Sequence, residues 1–209
     1  MSRTIDYYFT LASPWAFLGH RPFLDLAAAQ GVAIHYKPVD VGDVFPHTGG
    51  LPLPKRHPAR QRYRILELQR WREARGVALK LHPKHWPFPA ALANRTIVAL
   101  VAGGADPGRY TQRAFEGIWV NDEDLGQDDK LVALLDACGH DGAKVLGAAK
   151  SDAIGKIYAD TAAEAIDRNV IGSPCYVLDG EVFWGQDRLA LLDSALKSGR
   201  KAYRMDATM

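Results

Sequence analysis

The stretch that most constrains the fold runs from Asp6 to Gly19 and reads DYYFTLASPWAFLG. Apolar and polar residues alternate before Thr10, and aromatic side chains dominate, so this part predicts a β-strand. Ser13 and Pro14 then predict a helix start, because a serine oxygen accepts from a first-turn amide and proline there gives up only an unpartnered N–H. Ser13 is therefore expected at a strand-to-helix switch, on the positive end of a helix, where an anion or a thiolate is favoured.

A second strand and a loop are predicted after this helix. The apolar face that follows Pro14 ends at Gly31, where a left-handed residue costs little. Alternation from Val32 to Pro38 then predicts a strand, and strand, helix and strand in succession are typical of a parallel βαβ unit. Residues 40–57 predict a loop, because Gly and Pro recur through them.

A cationic run follows the loop and leads into a helix that ends at Gly76. Basic residues in a first helical turn are most often a solvated face, although they are mildly unfavourable against the helix dipole. A nearby anion would offset that cost. An organic acid is favoured over nucleic acid, because no aromatic residues interleave with the charges as stacking platforms. The run contains Lys55, Arg56, His57, Arg60, Arg62 and Arg64.

Two histidines, His82 and His85, stand in a proline-rich stretch over residues 81–89. The prolines preclude a regular helix that would aim both imidazoles at one ion, and no carboxylate follows at ligand spacing. No metal site is therefore predicted. A rigid, aromatic-rich loop that lines a substrate pocket agrees better with this composition, and His85 is a candidate substrate contact.

The middle of the chain is expected to be helical, because its apolar residues recur at helical spacing. We therefore expect an α/β domain made of residues 1–57 and 151–209, with residues 58–150 as an all-helical insertion. After the helix that ends at Gly76, the predicted helices cover residues 90–102, 107–119, 128–138, 141–149 and 151–168.

A β-hairpin is predicted near the C-terminus, because two short apolar runs flank the turn Asp179-Gly180. Ser173-Pro174 stands at the entrance of its first strand, a place where proline is tolerated. Gly185 follows the second strand and would let the backbone approach a ligand closely. The last helix is predicted to begin at Gln186-Asp187, and a plain aspartate cap would explain that pair if it stood alone.

Composition and charge exclude several classes of protein. The 209 residues suffice for one core, and the formal net charge of +2 is too small to imply a nucleic-acid partner by itself. Two cysteines, Cys138 and Cys175, are too few for a disulfide framework. No apolar run is long enough to span a bilayer, and no signal-peptide core precedes the first strand. We therefore expect a soluble, cytoplasmic protein without a membrane partner.

The segment FTLASPWAFLG resembles the opening signature of the 2-hydroxychromene-2-carboxylate isomerases, relatives of the kappa-class glutathione transferases and, more distantly, of DsbA-type thiol oxidoreductases. The segments IGSP and FWGQDRL follow in the order those families show. The resemblance implies a thioredoxin-like α/β fold of the DsbA and kappa type with a helical insertion. The oxidoreductases carry Cys-x-x-Cys where this chain has Ser13-Pro14-Trp15-Ala16, which rules out disulfide exchange through this turn.

The resemblance also implies glutathione as a cofactor. By resemblance Pro174 is cis, and Ser173 offers backbone hydrogen bonds to the cysteinyl part of glutathione. Amides at the start of the last helix would hold the γ-glutamyl carboxylate, while Asp187 would hold its ammonium group. Ser13 is the implied catalytic residue, as hydrogen-bond donor to the thiolate. The implied cofactor contacts are Ser13, Ser173, Pro174, Trp184, Gly185, Gln186 and Asp187.

The implied activity is a glutathione-dependent isomerisation between 2-hydroxychromene-2-carboxylate and trans-o-hydroxybenzylidenepyruvate, or of a related aromatic 2-oxo acid. Lys55 and Arg56 are candidates for binding the substrate carboxylate. Cys175 is expected to be a buried strand residue rather than a partner in a mixed disulfide. Relatives are often dimers, so a homodimer is a further expectation. Two alternatives stay open: a kappa-like glutathione transferase or peroxidase, and a non-catalytic thioredoxin-fold binding module.

Overall fold

The computed structural model describes residues 3–205, and in this part of the chain a four-stranded mixed sheet is covered by helices on both faces. The strand order is β2-β1-β3-β4. None of the helices within these residues is long and apolar enough to cross a membrane. The elements are β1 (Thr4–Phe9), α1 (Pro14–Gln30), β2 (Ala33–Pro38), α2 (Val41–Thr48), a 3-10 turn (Leu53–Lys55), α3 (Pro58–Arg75), α4 (Ala91–Ala102), α5 (Gly108–Trp119), α6 (Asp128–Ala137), α7 (Gly142–Ala149), α8 (Asp152–Asp167), β3 (Cys175–Leu178), β4 (Glu181–Trp184), a second 3-10 turn (Gln186–Arg188) and α9 (Leu189–Ser198).

The predicted βαβ unit forms the N-terminal part of the sheet. β1 and β2 pair in parallel, with Tyr7 opposite Tyr36. The Ser13 side chain caps α1 by accepting a hydrogen bond from the amide of Ala16 at 3.2 Å. Gly31 ends α1 with a φ of 62°, in the left-handed region that favours glycine. The local signals for this unit were therefore sufficient, and its prediction is confirmed.

The prediction of a loop over residues 40–57 is wrong for its first half. Val41–Thr48 form α2, whose N-cap Asp40 accepts a hydrogen bond from the amide two residues further on at 2.7 Å. Val44 is fully buried in a cluster on the second face of the sheet. This packing outweighs the poor helix propensity of the segment, because Pro46 removes only one backbone hydrogen bond from so short a helix.

The predicted helices of the middle region are confirmed, with ends shifted by at most one residue. Residues 58–150 contain α3 to α7 and no strand. Their core is continuous with that of the sheet, since Leu131 and Leu135 of α6 belong to the same buried cluster as Ile5 and Tyr7 of β1. The division of the chain into a thioredoxin-like domain and an insertion stays a prediction.

β3 and β4 form the predicted hairpin around Asp179 and Gly180, which have φ angles of 52° and 87°. β3 also pairs antiparallel with β1, so that Cys175 at the start of β3 lies opposite Tyr8 near the end of β1. The peptide bond before Pro174 is cis, as the resemblance implied. This pairing brings the start of β3 next to the C-terminal end of β1, where the chain continues into α1.

An aromatic cluster fills the core between the sheet and α1. Tyr7 stacks on Tyr176, with 5.4 Å between ring centroids. His20 of α1 lies within this cluster, 5.1 Å from the Phe115 ring, and is only 1% exposed. Its Nδ1 is 3.3 Å from the Tyr7 hydroxyl oxygen, and its Nε2 has no hydrogen-bond partner within residues 3–205. Burial, with a smaller effect of the Arg21 charge, lowers the pKa of His20 to about 3.

We predict that His20 makes stability fall as the pH is lowered. The unfolded chain protonates this side chain below about pH 6.5, whereas the folded protein resists protonation down to about pH 3. Because the folded state binds fewer protons in this window, stability is lost on acidification, by about 2 kcal/mol between about pH 7 and about pH 5. In urea unfolding, the free energy of unfolding of His20→Phe should fall by about 2 kcal/mol less than that of wild type over this pH range. The control His47→Gln, at an exposed histidine, should lose as much stability as wild type, and an unchanged loss in His20→Phe would contradict the prediction.

Candidate active site

Ser13 lies where β1 gives way to α1 and is 8% exposed. Its hydroxyl oxygen accepts from the amide of Ala16 and donates to the carbonyl oxygen of Ser173 at 3.1 Å. The first turn of α1 has no acidic residue, and the amide of Trp15 donates to no acceptor within residues 3–205. A hydroxyl donor and a free amide at a helix N-terminus together favour a bound anion.

Ser173 joins Ser13 to the end of β1. Its hydroxyl oxygen accepts from the amide of Thr10 at 3.0 Å, while its carbonyl accepts from the Ser13 hydroxyl. The carbonyl of the following Pro174 accepts from the amide of Gly185 at 2.9 Å. Ser13 and Ser173 are 160 residues apart in the chain. These hydrogen bonds therefore bring all three predicted motifs together.

Gly185 and Asp187 shape a tight turn after β4. Gly185 has a φ of 107°, which residues with side chains rarely adopt. A methyl group at this position would also lie 2.4 Å from one Asp187 carboxylate oxygen. The other oxygen of this exposed carboxylate pairs with Arg188 at 2.6 Å. Trp184 precedes the turn, is 52% exposed and packs its indole nitrogen against Gly172. The turn thus presents a carboxylate and an aromatic ring at the surface.

Gln186 has a buried side chain that attaches this turn to α3. The side chain is 2% exposed, and its Oε1 accepts from the Arg75 guanidinium at 2.8 Å. Arg75 ends α3 and lies 5.1 Å over the Trp71 ring. A Cβ at Gly19 of α1 would be 2.7 Å from that of Gln186, so only glycine permits this approach. The amides of Gln186 and Asp187 donate to no backbone acceptor within the described chain.

Asn94 of α4 fixes the loop that leads into Ser13. Its Oδ1 accepts from the amide of Leu11 at 3.1 Å. Its Nδ2 donates to the hydroxyl oxygens of Thr10 and Tyr158, both at 3.0 Å. Asn94 is only 1% exposed, so solvent cannot replace it as a partner.

Two tryptophans hold the same loop. The indole N–H of Trp119 donates to the Leu11 carbonyl at 2.9 Å, and that of Trp86 donates to the Ala12 carbonyl at 3.2 Å. Their ring centroids are 6.0 Å apart. Sequence reasoning missed Asn94 and both indoles in this role, because no local pattern shows which distant side chains will satisfy the backbone groups of a loop.

The predicted substrate-binding cations lie in different surroundings. Lys55 is exposed. Arg56 is partly buried, and its Nε donates to the Leu51 carbonyl at 2.7 Å. Arg64, to which the sequence gave no separate role, lies 5.4 Å over the Trp86 ring. Burial, with a smaller effect of the Arg56 charge, lowers the pKa of Arg64 to about 10.

The structure pairs His85 with an acidic residue. Its Nδ1 lies 3.7 Å from an Asp124 carboxylate oxygen. This contact does not show whether His85 meets a substrate, so its role as a substrate contact stays a prediction. Within residues 3–205, no group of three or more His, Cys, Asp or Glu side chains is arranged to hold a metal ion.

Neither cysteine is placed for redox chemistry at this turn. Cys138 and Cys175 are both buried and form no disulfide. Cys175 lies in β3 with no exposed surface, and burial raises the pKa of its thiol to about 12. The expectation of a buried strand residue is confirmed. A reactive thiolate at this site would have to come from a bound molecule.

The fold and site define a thioredoxin-type protein with a serine where redox members of the class carry a cysteine pair. A family model described as DSBA-like thioredoxin domain matches residues 4–197. The chain belongs to this family, which confirms the predicted fold class.

Several similar proteins share one name. A 2-hydroxychromene-2-carboxylate isomerase from Sphingobium xenophagum is 28% identical over 198 residues, which cover 94% of this chain and 99% of that protein. Another, from Pseudomonas putida, is 29% identical over 198 residues, which cover 92% of this chain and 93% of that protein. A solved 2-hydroxychromene-2-carboxylate isomerase matches with a TM-score of 0.78 at 26% identity, over 93% of this chain and 95% of that one. The resemblance inferred from the sequence motifs is thereby confirmed.

Replacement of Asn94 by leucine should destabilise the protein, because the Leu11 amide and the hydroxyls of Thr10 and Tyr158 would lose a buried partner. We expect Asn94→Leu to lower the free energy of unfolding by roughly 3 kcal/mol. The control Asn121→Ala, at an exposed asparagine, should change it by less than about 0.5 kcal/mol. Urea unfolding measures both, and a similar small effect in the two variants would refute the role of Asn94.

Proposed function

We propose that the protein is a glutathione-dependent isomerase that interconverts 2-hydroxychromene-2-carboxylate and trans-o-hydroxybenzylidenepyruvate, or a related aromatic 2-oxo acid. The observation that carries this proposal is the hydrogen-bonded connection of Ser13 with Ser173 and, through Pro174, with the turn from Gly185 to Asp187. The relatives that match nearly the whole chain support the substrate class through the name they share.

The residues at this site fit glutathione. The cysteinyl part would lie beside Ser173, so that its sulfur meets the Ser13 hydroxyl and the Trp15 amide. The two free amides after Gly185 would hold the γ-glutamyl carboxylate, and the Asp187 carboxylate would hold its ammonium group. The hydrogen bond from the Gly185 amide to the Pro174 carbonyl, which joins this turn to the entrance of β3, supports this arrangement.

Ser13 is proposed to keep the cofactor sulfur ionised. When bound, glutathione would supply a thiolate nucleophile that is regenerated in each turnover, and Ser13 and the Trp15 amide would hold that sulfur. A free thiol has a pKa of about 8.5. A hydroxyl hydrogen bond to an anion contributes roughly 1.5–3 kcal/mol and a helix N-terminus roughly 0.3–1 kcal/mol. Since one unit of pKa corresponds to about 1.4 kcal/mol, the two contributions together would lower the thiol pKa by about one to three units, which suffices near neutral pH.

A role for Ser13 as nucleophile has less support than a role as donor. An attacking serine needs an adjacent general base. Within residues 3–205, the Ser13 hydroxyl contacts only the Ala16 amide and the Ser173 carbonyl, and neither is a base. A thiolate would instead compete with that carbonyl for the hydroxyl proton.

Ser13→Ala tests the role of the hydroxyl. Wild type should bind glutathione in calorimetry, show the ultraviolet absorbance of a thiolate and isomerise the chromene carboxylate only when glutathione is present. Ser13→Ala should lose the thiolate absorbance and about 100-fold in kcat, the usual cost of removing one donor to a developing or full anion. The matched control is Ser151→Ala, because Ser151 also caps a helix, through the Ile154 amide. Retained absorbance in Ser13→Ala, or turnover without glutathione, would refute the proposal.

Asp187→Asn tests recognition of the γ-glutamyl ammonium group. Wild type should bind glutathione about tenfold more tightly than a deaminated analogue, because the analogue cannot pair with the carboxylate. Asp187→Asn should bind the two ligands alike. Asp193→Asn, on the following helix, is the control and should keep the wild-type preference. Calorimetry measures all of these affinities, and an undiminished preference in Asp187→Asn would remove Asp187 from the cofactor site.

A further inference from the structure

Arg64 is a partly buried cation without an acidic partner. It lies in the second turn of α3, and no carboxylate within residues 3–205 lies within ion-pairing distance of its guanidinium. Its contact is with the face of the Trp86 ring, 5.4 Å away. Removing a charge from water without a paired opposite charge costs free energy. The position of Arg64 therefore calls for an anion that the chain itself does not supply.

Further positive charge surrounds Arg64. The charge of Arg56 disfavours the charged form of Arg64, and that of Arg60 does the same to Arg56. The first turn of α3 has no acidic residue, so no carboxylate of that turn offsets the positive potential of the helix dipole. Within residues 3–205, none of Arg56, Arg60 and Arg64 forms an ion pair with a carboxylate, so their combined charge favours an anionic ligand.

A chain of contacts fixes this positive site beside Ser13. Trp86, which lies under the Arg64 guanidinium, donates its indole N–H to the Ala12 carbonyl at 3.2 Å. Ala12 directly precedes Ser13. Trp86 also packs on Trp119, whose indole N–H donates to the Leu11 carbonyl of the same loop. One indole ring, that of Trp86, thus connects the Arg64 guanidinium to the turn that carries the proposed thiolate donor.

We propose that Arg64 binds the carboxylate of the substrate, while Arg56 adds positive potential and Trp86 fixes the plane of the Arg64 guanidinium. The identity of that carboxylate as part of an aromatic 2-oxo acid rests on the proposed function. A guanidinium that lies over an aromatic face can keep N–H groups free to bind a carboxylate through two parallel hydrogen bonds. Arg64 rather than the exposed Lys55 is then the main contact of the carboxylate.

Arg64→Met and Arg64→Gln test this assignment. The substrate carboxylate does not react, so removing its contact with Arg64 weakens binding of the ground state and of the transition state alike. We expect KM for the chromene carboxylate to rise at least about tenfold, with kcat changed by less than about threefold. In calorimetry, wild type should prefer an aromatic 2-oxo acid over its methyl ester by at least about tenfold, and both variants should lose that preference. Arg70→Met is the control, because Arg70 is exposed on the same helix and pairs with Glu67.

Glutathione affinity separates this inference from the proposed function. Both Arg64 variants should bind glutathione as wild type does, because Arg64 is not among the proposed cofactor contacts. If wild type fails to bind glutathione but still prefers the 2-oxo acid over its ester through Arg64, the proposed function fails and the carboxylate site stands. Unchanged KM and an unchanged preference for the acid in the two Arg64 variants would overturn the inference, whatever glutathione does. Circular dichroism establishes that each variant is folded.

Discussion

The hydrogen bond from the Ser13 hydroxyl to the Ser173 carbonyl is the contact on which the candidate site depends. It joins the N-terminus of α1 to the entrance of β3, and the antiparallel pairing of β1 with β3 makes that contact possible. Pro174 connects this contact to the turn after β4, because its carbonyl accepts a hydrogen bond from the amide of Gly185. A shift of β3 against β1 by one residue would turn its side chains to the other face and separate all three motifs.

The helical middle region is part of the site rather than an addition to it. The backbone groups of residues 10–12 leave the sheet before α1 begins, and their buried polar atoms need partners. Asn94 and two indoles, from Trp86 and Trp119, supply them. Because Trp86 also lies under Arg64, one side chain links the support of the Ser13 turn to the positive site of α3.

The sequence predicted those parts of the structure that obey local rules. The Ser13 cap, the end of α1 at Gly31 and the hairpin at Asp179-Gly180 each depend on a few consecutive residues. α2 was missed, because its helix is decided by the burial of Val44 against the sheet rather than by propensity. Arg64 could be counted as a cation from the sequence, but its partial burial, with no acidic partner in the described part of the chain, follows only from tertiary packing.

A serine at the start of α1 changes what a thioredoxin-type site can do. A cysteine there would itself be the thiolate that the helix N-terminus stabilises, whereas a serine hydroxyl is a donor and suits an anion brought from outside. The proposed reaction brings two anions, a thiolate and a carboxylate, into one site. Their mutual repulsion needs compensation, and the first turns of both α1 and α3 lack acidic residues. The positive ends of these two helices, with the arginines of α3, can provide that compensation without a metal ion.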